Sequence, residues 1–411
     1  MKTTLLFLSL FFCVISTSFS QSISSSPYSI YGLGTLYDAD LGTIPSIGGS
    51  GIALPSTQFI NNLNPASLAF MYHNHFLFDV GGKSIFSTYQ NSDKKESRNN
   101  IQFSHIAFAF PITSKSAFSA TLKPYSSTAY KISNLTLPIL NSVENYNLSV
   151  TGTGGLNNFD LSYGYLVSKK LALGLTTSLL FGNATDNRSY TIANAVSYIN
   201  KKTNYNGVRA TLGAQFQADS TLTIGIIAKT PTRINASKIQ TVASTNSSST
   251  ITLESDLASN VDDFYMPLEA GIGFSKAFKN KLNVTLDYER GFWQSTKQSD
   301  IYGSFVDRDK ISLGFTYKRP KLFGSYFNRI QYAAGLNYDT GYLEVDSHRV
   351  INKSFSVGVS LPIDNTFSAL NISYSYGQKA KISDGLIKEN YHKISINLCL
   401  DGIWFVKRKF E

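Results

Sequence analysis

Two cysteines, two tryptophans and five histidines are all that this 411-residue chain holds of those chemically versatile residues. One cysteine, Cys13, lies in an N-terminal apolar stretch, so Cys399 stands alone once that stretch is removed. An intrachain disulfide is then excluded, and stability has to come from the fold itself. Cys399 falls on the polar face of its segment and reads as a buried, unreactive thiol. Beyond the N-terminus no apolar run is long enough for a membrane-spanning helix. Among His73, His75, His105, His348 and His392, only His73-x-His75 has a ligand-like spacing, and no third ligand is near in sequence. No serine carries a nucleophile signature. Gly32-Leu33-Gly34 lacks the later glycine of a dinucleotide fingerprint. Metal, cofactor and catalysis are accordingly not expected.

Charge is also sparse. Charged residues are 16% of the chain, with a formal net charge of +10. Lys and Arg are scattered through turns and loops rather than gathered beside aromatics, which argues against a nucleic-acid partner. Basic loops suit anionic lipid headgroups and lipopolysaccharide instead.

What the chain has is an export signal and alternation. Lys2, the apolar run Leu5 to Ile15 and the small residues Ser18-Phe19-Ser20 make residues 1–20 a secretory signal. Further on, Ile311, Leu313, Phe315 and Tyr317 interleave with Ser312, Gly314, Thr316 and Lys318. Leu370, Ile372, Tyr374 and Tyr376 alternate in the same way. A period of two places the apolar residues on one face of a strand. Repeated along an exported chain, it predicts an all-β outer-membrane barrel with lipid outside and a wet lumen inside.

Short turns and long polar loops alternate from His75 to about Leu400, which gives about fourteen antiparallel strands and puts both ends in the periplasm. The barrel is expected over residues 74–401, with a periplasmic tail over 402–411. Long external loops are expected through Ser92 to Glu96, from Ser127 to Gly155, through Asn200-Lys201-Lys202, and through Ser247 to Asp263. Tyr146 to Val150 is assigned to a hairpin within the second of these. Tyr163, Tyr165, Tyr288, Tyr317 and Tyr338 are placed in interfacial girdles. If apolar positions face lipid, then Lys123, Asp160, Arg209, Lys229, Glu269, Asp287 and Glu289 face the lumen. Their mixed signs suit lumen–plug ion pairs or a lined, wet passage.

Residues 21–73 differ from the rest. They are rich in Ser, Gly, Pro and Asn, with Gly32-Leu33-Gly34, then Gly48-Gly49-Ser50-Gly51, then Asn64-Pro65-Ala66. Ile44, Ile47, Ile52, Leu54, Phe59, Ile60, Leu63 and Leu68 are spread among them. Such a segment can pack compactly, and inside a barrel it would be a plug against the inner wall.

These three N-terminal motifs resemble the opening of mature FadL-type outer-membrane transporters. The Ser26 to Gly34 start and the Trp404 to Lys409 tail are similar to the Bacteroidota branch of such barrels. The chain departs from better-known members at its end, where Phe410 is penultimate and follows a basic stretch. The resemblance implies a fourteen-stranded barrel with an N-terminal hatch. It also implies passive uptake of fatty-acid-like hydrophobic molecules from an external groove, released through a side opening. The same branch includes partners of outer-membrane secretion and assembly complexes, so a non-transporting accessory or plug subunit is the alternative.

Overall fold

A computed structural model describes residues 26–403, apart from 39, 194, 246–248, 280, 301–302, 319–325, 365–366 and 383–385. The export signal and residues 404–411 of the tail therefore lie outside the described residues.

Fourteen antiparallel strands close into one barrel. In chain order they are β1 (His75–Gln90), β2 (Lys95–Thr113), β3 (Ser116–Pro124), β4 (Asn145–Leu166) and β5 (Leu171–Ile192). Next come β6 (Ala195–Gln217), β7 (Leu222–Lys229), β8 (Glu269–Phe278), β9 (Leu282–Gly291) and β10 (Arg308–Tyr317). The last four are β11 (Gln331–Asp339), β12 (Asn352–Pro362), β13 (Ala369–Lys379) and β14 (Lys388–Ile403). β14 runs two residues past the expected barrel end. β1 closes the cylinder against β14, from His75 opposite Ile403 to Gln90 opposite Lys388. Closure removes the sheet edges that lipid cannot satisfy.

The alternation sets the two faces. On β10, Ile311, Phe315 and Tyr317 are exposed to the outside while Ser312 is buried inside. Tyr163, Tyr165, Tyr288, Tyr317 and Tyr338 are likewise exposed on the outer surface. A bulge near the middle of β2 breaks the rhythm. Gly81 pairs with His105 and Gly82 with Phe103, so Ser104 is the extra residue. Both Ser104 and His105 are buried, while Phe103 and Ile106 on either side face out.

The expected external loops are largely strand. β4, β5 and β6 are 22, 22 and 23 residues long, roughly twice the nine to eleven tilted residues that cross a bilayer. On β5 the outward series Leu173, Leu175, Leu179 and Phe181 gives way to Asn183, Thr185, Asn187 and Ser189, which marks the outer edge of the apolar band. Asn200-Lys201-Lys202 lies within β6. Thr232–Thr245 and Thr250–Asn260 pair where a polar loop was expected. The Tyr146 to Val150 stretch does pair in a hairpin with Tyr130–Pro138, as the outer part of β4. Above the band the outward face is polar, so the outward apolar alternation that lipid imposes ends there.

The core sits in the lumen. Residues 26–73 fill it through three 3-10 turns, Pro27–Ile30, Ile44–Ile47 and Pro65–Phe70. Ile44, Ile47, Ile52, Ile60 and Leu68 are buried almost completely. Asn64 caps the third turn by accepting a hydrogen bond from the Ala66 amide at 3.0 Å.

Candidate functional site

The plug is seated on a belt of glycines. Inward positions on neighbouring strands are Gly164, Gly174 and Gly213, paired in series across β4, β5 and β6. Gly225 faces Gly273 across β7 and β8, and Gly314 faces Gly335 across β10 and β11. A Cβ at Gly174 would overlap the Ala66 amide, at Gly213 the Asn64 side chain, at Gly225 the Ile52 carbonyl, and at Gly335 the Gly48 amide. The plug backbone thus lies directly on the wall, in the space that side chains would occupy. Gly48 also adopts a left-handed conformation, φ 68°, to end its turn.

Polar wall side chains complete the seat. Asp287 Oδ2 accepts the amides of Gly51 and Ile52 at 2.5 and 2.9 Å. Ser356 Oγ accepts the Gly48 amide at 2.9 Å. Gln215 Nε2 donates to the Ile52 carbonyl at 2.8 Å, and Asn64 Nδ2 donates to the Ala214 carbonyl at 3.1 Å.

The opposite wall, β13 through β3, holds the plug by charge and hydrogen bonding. Lys83 and Lys393 lie 2.5 and 3.2 Å from the two oxygens of Asp40. From the seat side, Lys310 of β10 bridges Asp38 at 3.4 Å and Glu289 of β9 at 3.5 Å. Asn397 Nδ2 donates to the carbonyls of Asp40 and Gly42 at 2.7 and 2.9 Å. Asp79 accepts the Gly42 amide at 2.9 Å and lies 3.1 Å from both His105 Nε2 and Cys399 Sγ. Burial raises the carboxyl pKa of Asp38 and Asp40, but the neighbouring cations outweigh it. Asp38 is held at about 2, and Asp40 well below the usual carboxylate range. Asp38 opens onto an internal cavity of ≈ 180 Å³ shared with Lys83, Arg308, Lys379 and Glu389, which is why its side chain meets solvent inside an enclosed barrel.

The wall is interrupted on this side. β3 stops at Pro124, and β2 pairs with it only from Ile106 toward the short-turn end. Residues 95–105 of β2 pair with β1 alone. Past the break, Ser126 and Ser127 turn inward and pair with Leu36 and Thr35 of the plug. The Tyr37 amide donates to the Tyr125 carbonyl at 3.0 Å, and Lys83 lies 4.1 Å from the Tyr37 ring centre. The plug therefore supplies a short strand where the wall leaves off.

Aromatic rings close the outer mouth. Trp293 and Tyr342 stack with centroids 4.4 Å apart, and Phe264 and Phe305 pack against Trp293. Tyr342 Oη donates to the Gly34 carbonyl at 3.0 Å, and the Gly32 amide donates to Asp300 at 2.8 Å, with Leu33 buried between them. Above the mouth, the inner face of the extended strands carries Tyr146, Leu148, Val150, Tyr190 and Ile199.

The seven charged positions read from the sequence all point inward, but most pair within the wall. Lys123 meets Asp160 at 3.2 Å, and Glu269 receives Arg209 at 3.2 Å and Lys229 at 2.9 Å. Lys229 also lies 3.9 Å from Glu289. Asp287 reaches the plug backbone, and Glu289 reaches the plug's Asp38 carboxylate through Lys310. Gly49 and Gly51 lie on the buried span with Asn64, Pro65 and Ala66. The alternation passed over Lys83, Lys310 and Lys393, and with them the plug carboxylates Asp38 and Asp40. Those two acids are the only charged residues from 21 to 72, and that isolation was the available signal. His75 is paired with Asp401 at 2.8 Å. Among the described residues no group of three His, Cys, Asp or Glu side chains could hold a metal.

The barrel has the FadL-type fold of known outer-membrane channels. The toluene transporter TodX of Pseudomonas putida is 15% identical with a TM-score of 0.63, covering 90% of this chain and 98% of that one. The toluene transporter TbuX of Ralstonia pickettii is 16% identical with a TM-score of 0.61, covering 88% and 97%. A Pseudomonas aeruginosa FadL homologue is 11% identical with a TM-score of 0.61, covering 90% and 100%. At these identities the likeness is one of fold. No curated protein matches the sequence. The family model described as BamG matches residues 1–411.

Proposed function

The chain belongs to the BamG family, and from that premise and the geometry above we propose that it passes small hydrophobic molecules passively across the outer membrane. The observation that carries this reading is the break in β3, filled by the plug strand Thr35–Leu36. A ligand collects on the apolar inner face at Tyr146, Leu148 and Tyr190, passes the Trp293–Tyr342 lid, and leaves sideways between β2 and β3 when residues 35–37 let go. A sideways exit keeps an apolar solute out of the aqueous space below. Proteins of this fold described as toluene transporters support the choice of cargo. Deleting residues 31–69 is expected to raise conductance in planar bilayers. Cells bearing the whole protein are expected to take up radiolabelled toluene faster than cells without it, and equal uptake contradicts the reading.

The glycine seat favours a second reading, a sealed subunit of a larger outer-membrane complex. A plug backbone lying on the wall at Gly174, Gly213, Gly225 and Gly335 occludes the lumen along those strands. Gentle detergent extraction from native membranes would then co-purify a larger machine, whereas recovery as a lone monomer counts against it.

We read residues 1–20 as the export signal, 21–73 as the plug and the residues after β14 as a periplasmic tail. The Ser26 to Gly34 start and the basic tail support a place in the Bacteroidota branch of these barrels.

A further inference from the structure

At the short-turn end of the barrel, which faces the periplasm, a cavity of ≈ 300 Å³ lies between the plug loop at residues 54–59 and the ends of β8 to β14. Its two walls differ. One is apolar: Leu54, Pro55 and Phe59 from the plug, together with Phe367. The other carries Thr316, Gln331, Ser360 and Asn371. The Oδ1 of Asn371 is buried without a hydrogen-bond partner.

One charge enters the cavity from each of two turns. Lys318 Nζ donates to Gln58 Oε1 at 3.1 Å, and among the described residues no carboxylate lies within 4 Å of it. Lys281 lines the cavity without an acidic partner among those residues, and Lys279 lies two residues away in the same turn. A half-buried ammonium facing only a neutral amide is an incomplete pair, and an incoming carboxylate completes it.

We infer that this cavity docks an acidic, apolar-containing segment of a periplasmic polypeptide, with a carboxylate on Lys318 and a large apolar side chain between Phe59 and Phe367. Charge complementarity selects an acidic partner. The amide and hydroxyl wall selects a peptide, whose backbone uses those groups, over an alkyl chain, which would leave them unpaired. The cavity lies within the ring of strands, screened from lipid, which separates this site from a headgroup contact. The inference stands apart from the transport reading, since the cavity opens away from the outer mouth and the wall break.

The test uses the full-length protein in nanodiscs and a pool of fluorescein-labelled heptapeptides alternating glutamate with leucine and phenylalanine. Fluorescence anisotropy is expected to show saturable binding that weakens with salt. Lys318→Glu is expected to weaken it by about tenfold and Lys318→Arg to retain it, with heat-modifiable gel mobility confirming that both barrels are folded. The proposal is overturned if glutamine-for-glutamate peptides bind equally well, if Lys318→Glu leaves the Kd unchanged, or if laurate binds where no peptide does.

Discussion

The carboxylate of Asp40 receives the ammonium of Lys83 at 2.5 Å, a side chain of the plug tied to a side chain of the first strand. Both groups are almost completely buried, and Lys393 completes the cluster at 3.2 Å. Removing one member of a buried ionic cluster leaves the others uncompensated, at a cost of about 3–5 kcal/mol. Asp40→Asn should therefore loosen the plug while the barrel stays closed. Hydrogen exchange is expected to accelerate at residues 38–52 and stay unchanged in β4 to β6; equal protection throughout would deny the latch.

Acid should do the same to the unmodified protein. The pKa of Asp38 is held at about 2 and that of Asp40 lower still, against an unfolded value of about 3.9. A depressed carboxylate contributes stability above the unfolded value and loses it as pH falls through the folded one. Plug seating is expected to be flat from pH 8 to 5 and to weaken below about pH 4. Bilayer conductance followed across that range should rise only at the acid end.

The glycine seat makes a steric prediction. Gly174→Val and Gly335→Val push side chains into the Pro65–Ala66 and Ile47–Gly48 backbones. Each should displace the plug and raise conductance without abolishing heat-modifiable mobility. Gly82→Ala is the control, because its Cβ would have no heavy atom nearer than 3.6 Å, the Gln102 carbonyl oxygen. A Gly82 effect as large as the other two would show that wall glycines act through strand stability alone.

The cylinder was legible because lipid imposes alternation on every stretch it touches, as at Ile311 to Tyr317. The outer halves of β4 to β6 were not, because Asn183, Asn187 and Asn200 face water where lipid no longer imposes an apolar outward face. The break at Pro124 hides as well, since a lone proline before a tyrosine has no periodic signature. Lumen positions such as Arg209 and Glu269 could be read, but their partners could not, because pairing across strands depends on register. The glycine belt was present in the text: Gly174, Gly213 and Gly335 each fall on an inward position of an alternating segment. Its purpose shows only once the plug lies against it.

The transport account turns on whether the plug strand has to leave the wall break. Thr35 pairs with Ser127 across that junction, so a disulfide between cysteines at both positions, in a Cys399→Ser background, would lock it. Radiolabelled toluene uptake by cells carrying the double-cysteine protein is the decisive reading. The account predicts that uptake falls to the level of cells lacking the protein when the pair is oxidised, and returns on reduction. Undiminished uptake with the pair fully oxidised would contradict it.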